Sequence, residues 1–234
     1  MNKIAKLLLA TSIAALPSMA GVFVGLDYNS DTMNTIGDSY SYEGDSYDAE
    51  TNGYTISLGI GGVDSRVFEI YYSSQTASDG NIFVLPQYSG GVIFSGDNYT
   101  ELGINYRPYW EIAHNLHWYL DMGISQRTTD VSSTPDLRLD TDTLNAIAGT
   151  VGLGLSYNIT NRFELNVGYR ASYCDWNLIN YSKSSNDSYE EWASSTNTEV
   201  YFGINIWFGD SGNDTNFIKE GEEKKLQESI DETF

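Results

Sequence analysis

Apolar and other residues alternate with a period of two in eight short segments of the chain. In the last segment every second residue is apolar, and the residues between are Glu199, Tyr201, Gly203, Asn205 and Trp207. Successive side chains of a β-strand point to opposite faces, so this period predicts strands with one apolar face. The predicted strands are Val22–Tyr28, Tyr54–Gly61, Val67–Ser73, Tyr99–Arg107, Leu116–Arg127, Leu144–Tyr157, Arg162–Tyr173 and Glu199–Phe208.

The faces opposite the apolar rows carry Asp, Glu, Arg, Asn and Gly in strand after strand. A water-soluble sheet turns its apolar face inward, whereas a membrane barrel turns it outward to lipid and keeps a polar interior. A closed barrel also pairs every backbone group without water. The pattern therefore predicts an all-β protein, an eight-stranded antiparallel up-and-down transmembrane β-barrel over residues 21–208. A water-soluble lipocalin-like barrel is the alternative, and quantitative extraction without detergent would establish it.

Short and long connections alternate between the predicted strands. The short links are 63–66, 108–115 and 158–161, and the long links are 29–53, 74–98, 128–143 and 174–198. Transmembrane barrels have short periplasmic turns and longer external loops. Because the number of strands is even, both ends of the mature chain are expected on the periplasmic side of a bacterial outer membrane.

Residues 1–20 have the three parts of a secretory signal peptide. Lys3 and Lys6 supply the positive start, and a small-residue cleavage site ends at Ala20. The apolar run between them stops at Pro17 and is shorter than the roughly 20 apolar residues of a membrane-spanning helix. We expect this segment to be cleaved. Beyond the last strand, residues 209–234 are expected to form an acidic periplasmic tail.

The formal net charge is −20, with 12 Lys and Arg against 32 Asp and Glu. Such a surface repels nucleic acid, which we exclude as a partner. The single cysteine, Cys174, excludes an internal disulfide framework. No cofactor is predicted.

Aromatic residues concentrate toward the two ends of the predicted strands, as expected of girdles at the membrane interfaces. The expected external girdle consists of Tyr28, Tyr54, Tyr72, Tyr99 and Tyr173. The expected periplasmic girdle consists of Trp110, Trp118, Trp207, Tyr106, Tyr157 and Phe208.

The strand number, the alternation of link lengths and a last strand that ends in the aromatic Phe208 resemble the OmpA/OmpX-like outer-membrane barrels over roughly residues 21–208. In that family the last strand is recognised by the barrel-assembly machinery, so the resemblance implies this role for Glu199–Phe208. That signal usually sits at the extreme C-terminus, whereas 26 residues follow Phe208 here. The family includes anchors, adhesins, enzymes and narrow pores, so the resemblance implies architecture rather than one activity.

Charged residues of both signs fall on the predicted inward face. Arg170 and Glu199 should lie at similar height on neighbouring strands, and Arg107 has Glu69 and Glu164 at comparable depth. Because an isolated buried charge is costly, we predict an ion-pair network that plugs the narrow bore and leaves spare carboxylates. Its members are Glu69, Glu101, Arg107, Asp121, Arg127, Glu164, Arg170 and Glu199. A narrow cation-conducting path and a proton relay are the alternatives.

The long links carry 16 acidic residues and two basic ones, Arg138 and Lys183. They lack the spacing of a calcium-binding loop, so no metal site is predicted, and a solvated acidic surface is favoured over diffuse divalent cations that bridge to lipopolysaccharide. The second link differs because two apolar runs flank a Gly-containing turn, which predicts a small hairpin. Its apolar residues are Ile82, Phe83, Val84, Leu85, Val92, Ile93 and Phe94. The hairpin is expected to cap the mouth or extend a strand, or else to project as an adhesive edge.

Outer-leaflet lipid-modifying relatives need a histidine near the external rim. Both histidines of this chain, His114 and His117, fall at the opposite, periplasmic turn, so we predict that the protein is not an enzyme. The predicted function is a monomeric barrel with a plugged lumen that serves envelope structure or surface interaction. Its expected partners are outer-membrane lipid, lipopolysaccharide, the assembly machinery and a host or surface ligand. A narrow cation pore is the first alternative, and an outer-leaflet enzyme is the second.

Overall fold

The computed structural model of the protein describes residues 21–37, 46–62, 66–78, 83–86, 92–133, 138–139, 143–184 and 187–208. For 37, 46–47, 83–86, 92–95, 132–133, 138–139, 177–184 and 187–192 we describe only the backbone. The expected signal peptide, the turn at 63–65 and the expected tail at 209–234 lie outside the described residues.

Eight long strands form one closed antiparallel sheet. They are β1 (Gly21–Gly37), β2 (Ser46–Gly62), β3 (Arg66–Ala77), β6 (Asn98–Ala113), β7 (Leu116–Asp130), β10 (Thr143–Thr160), β11 (Phe163–Ser184) and β12 (Asp187–Phe208). Each strand pairs with the next along the chain, and β1 closes the barrel by pairing with β12 from Val22↔Phe208 to Gly37↔Ala193. This closure confirms the predicted eight-stranded up-and-down barrel.

The outer surface of the barrel carries the apolar rows. Leu26, Ile124 and Ile147 are 58%, 60% and 69% exposed, respectively, although all three are large aliphatic residues. Their neighbours along each strand point inward and are buried or half-buried. Exposed apolar surface of this extent is stable only against lipid, which makes the belt the membrane-facing surface of a transmembrane barrel. Among the described residues, no helix is long and apolar enough to cross a membrane.

The strands continue well past the apolar belt, which corrects the expected bounds of the long links. β1 runs on to Gly37 instead of ending at Tyr28, and its outward residues there are polar or mixed, beginning with Ser30 and Thr32. The pairs between β11 and β12 extend from Phe163↔Ile206 to Ser184↔Asp187, so most of the link expected at 174–198 is a hairpin. The alternation of apolar and polar residues stops where the strands leave the lipid. The strands themselves continue, because backbone pairing does not require an apolar face.

One short link is also shorter than expected. β6 continues through Pro108 to Ala113, and only His114 and Asn115 form the turn to β7. Pro108 has no N–H to donate, and the β6–β7 ladder accordingly lacks pairs between Tyr106↔Met122 and Tyr109↔Tyr119. Asn115 has a φ of 63°, a left-handed conformation that asparagine tolerates in tight turns.

A second, three-stranded sheet lies at the end with the long connections. Its strands are β4 (Phe83–Pro86), β5 (Val92–Gly96) and β8 (Ser132–Ser133), and β5 is the central strand. The pairs Leu85↔Phe94 and Phe83↔Gly96 form the hairpin that the sequence predicted. A short strand, β9 (Arg138–Leu139), pairs with β11 at Tyr181 and Ser182.

Candidate functional site

The structure places all eight predicted network residues on the inward face. The carboxylates and guanidinium groups of seven of them are buried, and Glu199 is partly buried. Seven of the eight side chains meet in two layers across the bore, and the side chain of Glu164 lies apart from both. The lower layer, toward the short turns, consists of Arg107, Glu69, Asp121, Arg170 and Glu199, and the upper layer consists of Arg127 and Glu101 with the neutral groups around them.

Arg107 is at the centre of the lower layer. Its Nη1 lies 3.1 Å from Glu69 Oε2, and its Nε donates to Asp121 Oδ2 at 3.3 Å. Its guanidinium carbon also lies 5.5 Å from the centroid of Tyr119 and 6.0 Å from that of Tyr201. Buried charges of this kind are stable only when paired and hydrogen-bonded, and Arg107 meets both conditions.

Arg170 joins the two sides of the lower layer. Its Nη2 lies 2.6 Å from Glu199 Oε1 and its Nη1 lies 3.8 Å from Asp121 Oδ2. The Arg170↔Glu199 contact is a direct register pair of β11 and β12. The guanidinium carbon stands 4.1 Å from the Tyr201 ring centroid, so the cation also packs against an aromatic ring.

The upper layer is organised by Arg127. Its Nε donates to Glu101 Oε2, its Nη1 to Asn197 Oδ1 and its Nη2 to Ser172 Oγ, each at 2.8 Å. These three partners belong to β6, β12 and β11, so one side chain from β7 spans the interior of the barrel. Tyr71 donates to Glu101 Oε1 at 2.5 Å, which satisfies the second carboxylate oxygen.

Asp31 extends the upper layer toward β1. Tyr99 Oη donates to Asp31 Oδ2 at 2.9 Å, and Asn197 Nδ2 donates to the same oxygen at 2.7 Å. Tyr99 is 1% exposed, so its expected place in the external girdle was wrong. The alternation in β6 explains why Tyr99 faces inward. Leu102 and Ile104 face outward, so odd-numbered residues of this strand must face inward.

Glu164 is held by neutral groups and lies below the lower layer. Ser156 Oγ donates to Oε1 at 2.6 Å, and Trp207 Nε1 and Asn205 Nδ2 donate to Oε2 at 2.7 and 3.2 Å. No ion pair with Arg107 forms among the described residues, although the sequence placed the two at comparable depth. Trp207 is 2% exposed and faces inward, as its parity in β12 requires, so its expected place in the periplasmic girdle was also wrong.

Large inward side chains lie over glycines of the neighbouring strand. The register pairs Tyr119↔Gly154, Tyr201↔Gly168 and Tyr71↔Gly103 each place a ring where a glycine Cβ would stand. The Tyr119 and Tyr201 hydroxyl groups then meet at 2.8 Å across the bore. Because an interior filled by its own side chains has little free space, each wide ring requires a residue without a side chain beside it.

Apolar residues close the interior above and below the charged layers. Toward the short turns, a buried cluster contains Phe23, Val67, Tyr109, Tyr119, Tyr201 and Trp207. At the other end, beyond the upper layer, Met33, Leu144 and Trp176 are at most 1% exposed. The period of two did not reveal this outer apolar interior as a whole, since Met33 and Trp176 fall in segments expected to be links and only Leu144 lies in a predicted strand. If the alternation of inward and outward residues is continued into the strand extensions, these residues fall at inward positions.

The remaining interior space is small. A cavity between the two charged layers, lined by polar residues that include Arg127, Arg170 and Ser172, offers about 10 Å³ to the centres of water molecules. That volume holds about one water molecule. In the part of the chain that the structure describes, no group of three or more His, Cys, Asp or Glu is arranged to hold a metal ion.

The predicted surface hairpin is described only in its backbone. Phe83, Val84 and Leu85 lie in β4, Val92, Ile93 and Phe94 lie in β5, and Ile82 lies outside the described residues. Pairing of β5 with Ser132 and Ser133 ties the hairpin to another long connection. The hairpin thus forms part of a small sheet and does not stand alone.

No protein-family model matches the chain, and no curated protein matches it. Solved outer-membrane barrels do. Neisserial surface protein A is 16% identical with a TM-score of 0.51, and the match covers 81% of this chain and 99% of that protein. OprG from Pseudomonas aeruginosa is 11% identical with a TM-score of 0.50, and the match covers 82% and 96%. AlkL, determined in lipid bilayers, is 12% identical with a TM-score of 0.53, and the match covers 83% and 93%.

At such identities the similarity concerns the fold. It agrees with the closed sheet, the exposed apolar belt and the polar interior of this chain. The chain has the transmembrane fold of the OmpA/OmpX-like eight-stranded outer-membrane β-barrels.

Proposed function

We propose that the protein is a non-conducting outer-membrane barrel that anchors an external, strand-built structure serving the envelope or surface interaction. The observation that carries this proposal is the closure of the interior at successive heights. The apolar cluster around Trp207, the Arg107 layer, the Arg127 layer and the apolar residues around Trp176 follow one another along the bore. An ion would have to displace packed side chains at each level, which is costly in a densely packed interior.

The orientation follows from the connections. Both ends of the described barrel, Gly21 and Phe208, lie at the end with the short turns, and the strand extensions lie at the other. In outer-membrane barrels the short turns are periplasmic, so we place both ends in the periplasm and the extensions outside. The last strand then serves as the assembly signal, and the barrel acts as a monomer because no strand edge is left open in its closed sheet.

A narrow cation pore is the second candidate, and the charge balance favours it. The described interior holds seven carboxylates, those of Asp27, Asp31, Glu69, Glu101, Asp121, Glu164 and Glu199, against the three guanidinium groups of Arg107, Arg127 and Arg170. An excess of acids attracts cations. The histidines offer no comparable support for an outer-leaflet enzyme, because both lie at the turn end of β6 and β7.

We expect the purified, refolded protein to give no single-channel steps in a planar lipid bilayer, because the packed layers leave space for about one water molecule between them. A large-bore porin reconstituted in the same way provides the positive control. Stable cation-selective steps would contradict the plugged barrel and establish the pore.

The surface role rests on the external hairpin. Deletion of residues 82–94 is expected to reduce adhesion of cells that display the protein to matrix-coated surfaces, since an apolar β-sheet outside the membrane is a binding surface. Surface labelling of an introduced epitope checks that the variant is displayed at the wild-type level. Unchanged adhesion at equal display would refute the adhesive role and leave envelope structure as the function.

A further inference from the structure

An open groove lies at the turn end of the barrel, where β11 begins and β12 ends. Its volume is about 310 Å³, and it is lined by Arg162, Phe163, Ile206, Trp207 and Phe208. The Phe163, Ile206 and Phe208 side chains are 46%, 40% and 59% exposed, respectively, and they belong to the outward apolar belt. The groove therefore opens at the edge of the lipid-facing surface and has the size of a small-ligand site.

The backbone at Arg162 is firmly held. Thr160 Oγ1 accepts hydrogen bonds from the Arg162 and Phe163 N–H groups, both at 3.1 Å. The Trp207 N–H donates to the Arg162 carbonyl oxygen at 2.9 Å, which joins the turn to β12. Arg162 itself is exposed, and no carboxylate among the described residues forms an ion pair with it. Arg162 thus lines the groove from a turn whose backbone is fixed.

Exposed charges are distributed unequally between the two ends of the described barrel. The turn end presents Arg66 and Arg162 with a single exposed acid, Glu111. The opposite end presents a set of exposed acids, namely Asp48, Glu50, Asp97, Asp130 and Asp175. A lipid phosphate is therefore attracted to the turn end and repelled from the other.

We propose that this groove binds one anionic phospholipid. The Arg162 guanidinium holds the phosphate, because its planar fork matches phosphate oxygens, and the first acyl carbons lie along Phe163, Ile206 and Phe208. Aromatic residues beside the headgroup level are the usual anchors of such an interface. The assignment of this lipid to the inner leaflet rests on the proposed orientation of the barrel, whereas the binding itself does not.

Native mass spectrometry tests the site on the full-length protein refolded into nanodiscs of phosphatidylcholine and phosphatidylglycerol in equal amounts. We expect one phosphatidylglycerol to be retained by the wild type and by Arg66→Gln, and retention to fall several-fold in Arg162→Gln. Arg66 is the matched control, since it is exposed at the same end of the barrel but does not line the groove.

Equal retention by the wild type and Arg162→Gln would overturn the proposal. An equal loss in both variants would overturn it too, because a general charge effect would then explain the binding. Retention that appears only after removal of residues 209–234 would show that the chain's own tail fills the groove, again overturning it. None of these outcomes changes the conductance or adhesion results, so this site and the proposed function can fail separately.

Discussion

Replacement of Arg107 by methionine is expected to lower the free energy of unfolding by about 3–5 kcal/mol, the largest effect of any single change in the barrel. The substitution leaves Glu69 without its cation and leaves Asp121 with only the 3.8 Å contact to Arg170, and both carboxylate side chains are at most 2% exposed. Urea titration of the refolded protein in lipid vesicles, followed by tryptophan fluorescence, measures the change.

A matched arginine and a double variant control this experiment. Arg66→Met removes an exposed guanidinium from β3 and is expected to shift stability by no more than about 0.5 kcal/mol. Glu69→Gln combined with Arg107→Met should cost less than the sum of the single changes, because the amide no longer leaves a buried charge unpaired. Additive losses would show that Arg107 and Glu69 do not stabilise one another.

Gly154→Ala is expected to destabilise the barrel by about 1–3 kcal/mol through overpacking. A Cβ at this position would overlap the Tyr119 ring, whose hydroxyl group is fixed by Tyr201 at 2.8 Å. The ring can withdraw only by breaking that contact or by entering the space beside Arg107. The same urea titration measures the loss.

Gly149 is the matched control for this change. It lies on the same strand as Gly154 but faces outward, and nothing lies within 4 Å of the position of its Cβ. Gly149→Ala should therefore leave stability within about 0.5 kcal/mol of the wild type. In a Tyr119→Ala background, the cost of Gly154→Ala should largely disappear. A similar loss for both glycine variants in the wild-type background would mean that strand flexibility, not the ring, sets the requirement for glycine.

The plugged interior that we propose rests on side-chain packing as well as on charge. Arg107, Arg127 and Arg170 each reach partners on at least two other strands, so the ionic layers also tie the wall together. A barrel fixed in this way is a rigid base for the long β11–β12 hairpin and the small three-stranded sheet outside the belt. Such a base suits the anchor role that we propose.

The alternation of apolar and polar residues in the sequence was enough to predict the strands of the barrel and the face on which each residue lies. The period of two separated lipid-facing Val200, Phe202 and Ile204 from lumen-facing residues, and it placed every predicted charged residue inside. It succeeded because the face of a strand residue depends only on its parity within that strand. The errors at Tyr99 and Trp207 arose where residue type was given more weight than parity.

Only the tertiary structure decided how long the strands are and which inward groups meet. The alternation measures the thickness of the lipid belt, so it could not reveal that β1, β11 and β12 continue beyond it. Nor could it show that Glu164 is held by Trp207 and Ser156 instead of Arg107. Such contacts depend on the register between strands far apart in the sequence and on the lean of each side chain over the next strand. Both are set when the barrel closes, because only then does each wide ring come to lie over its glycine.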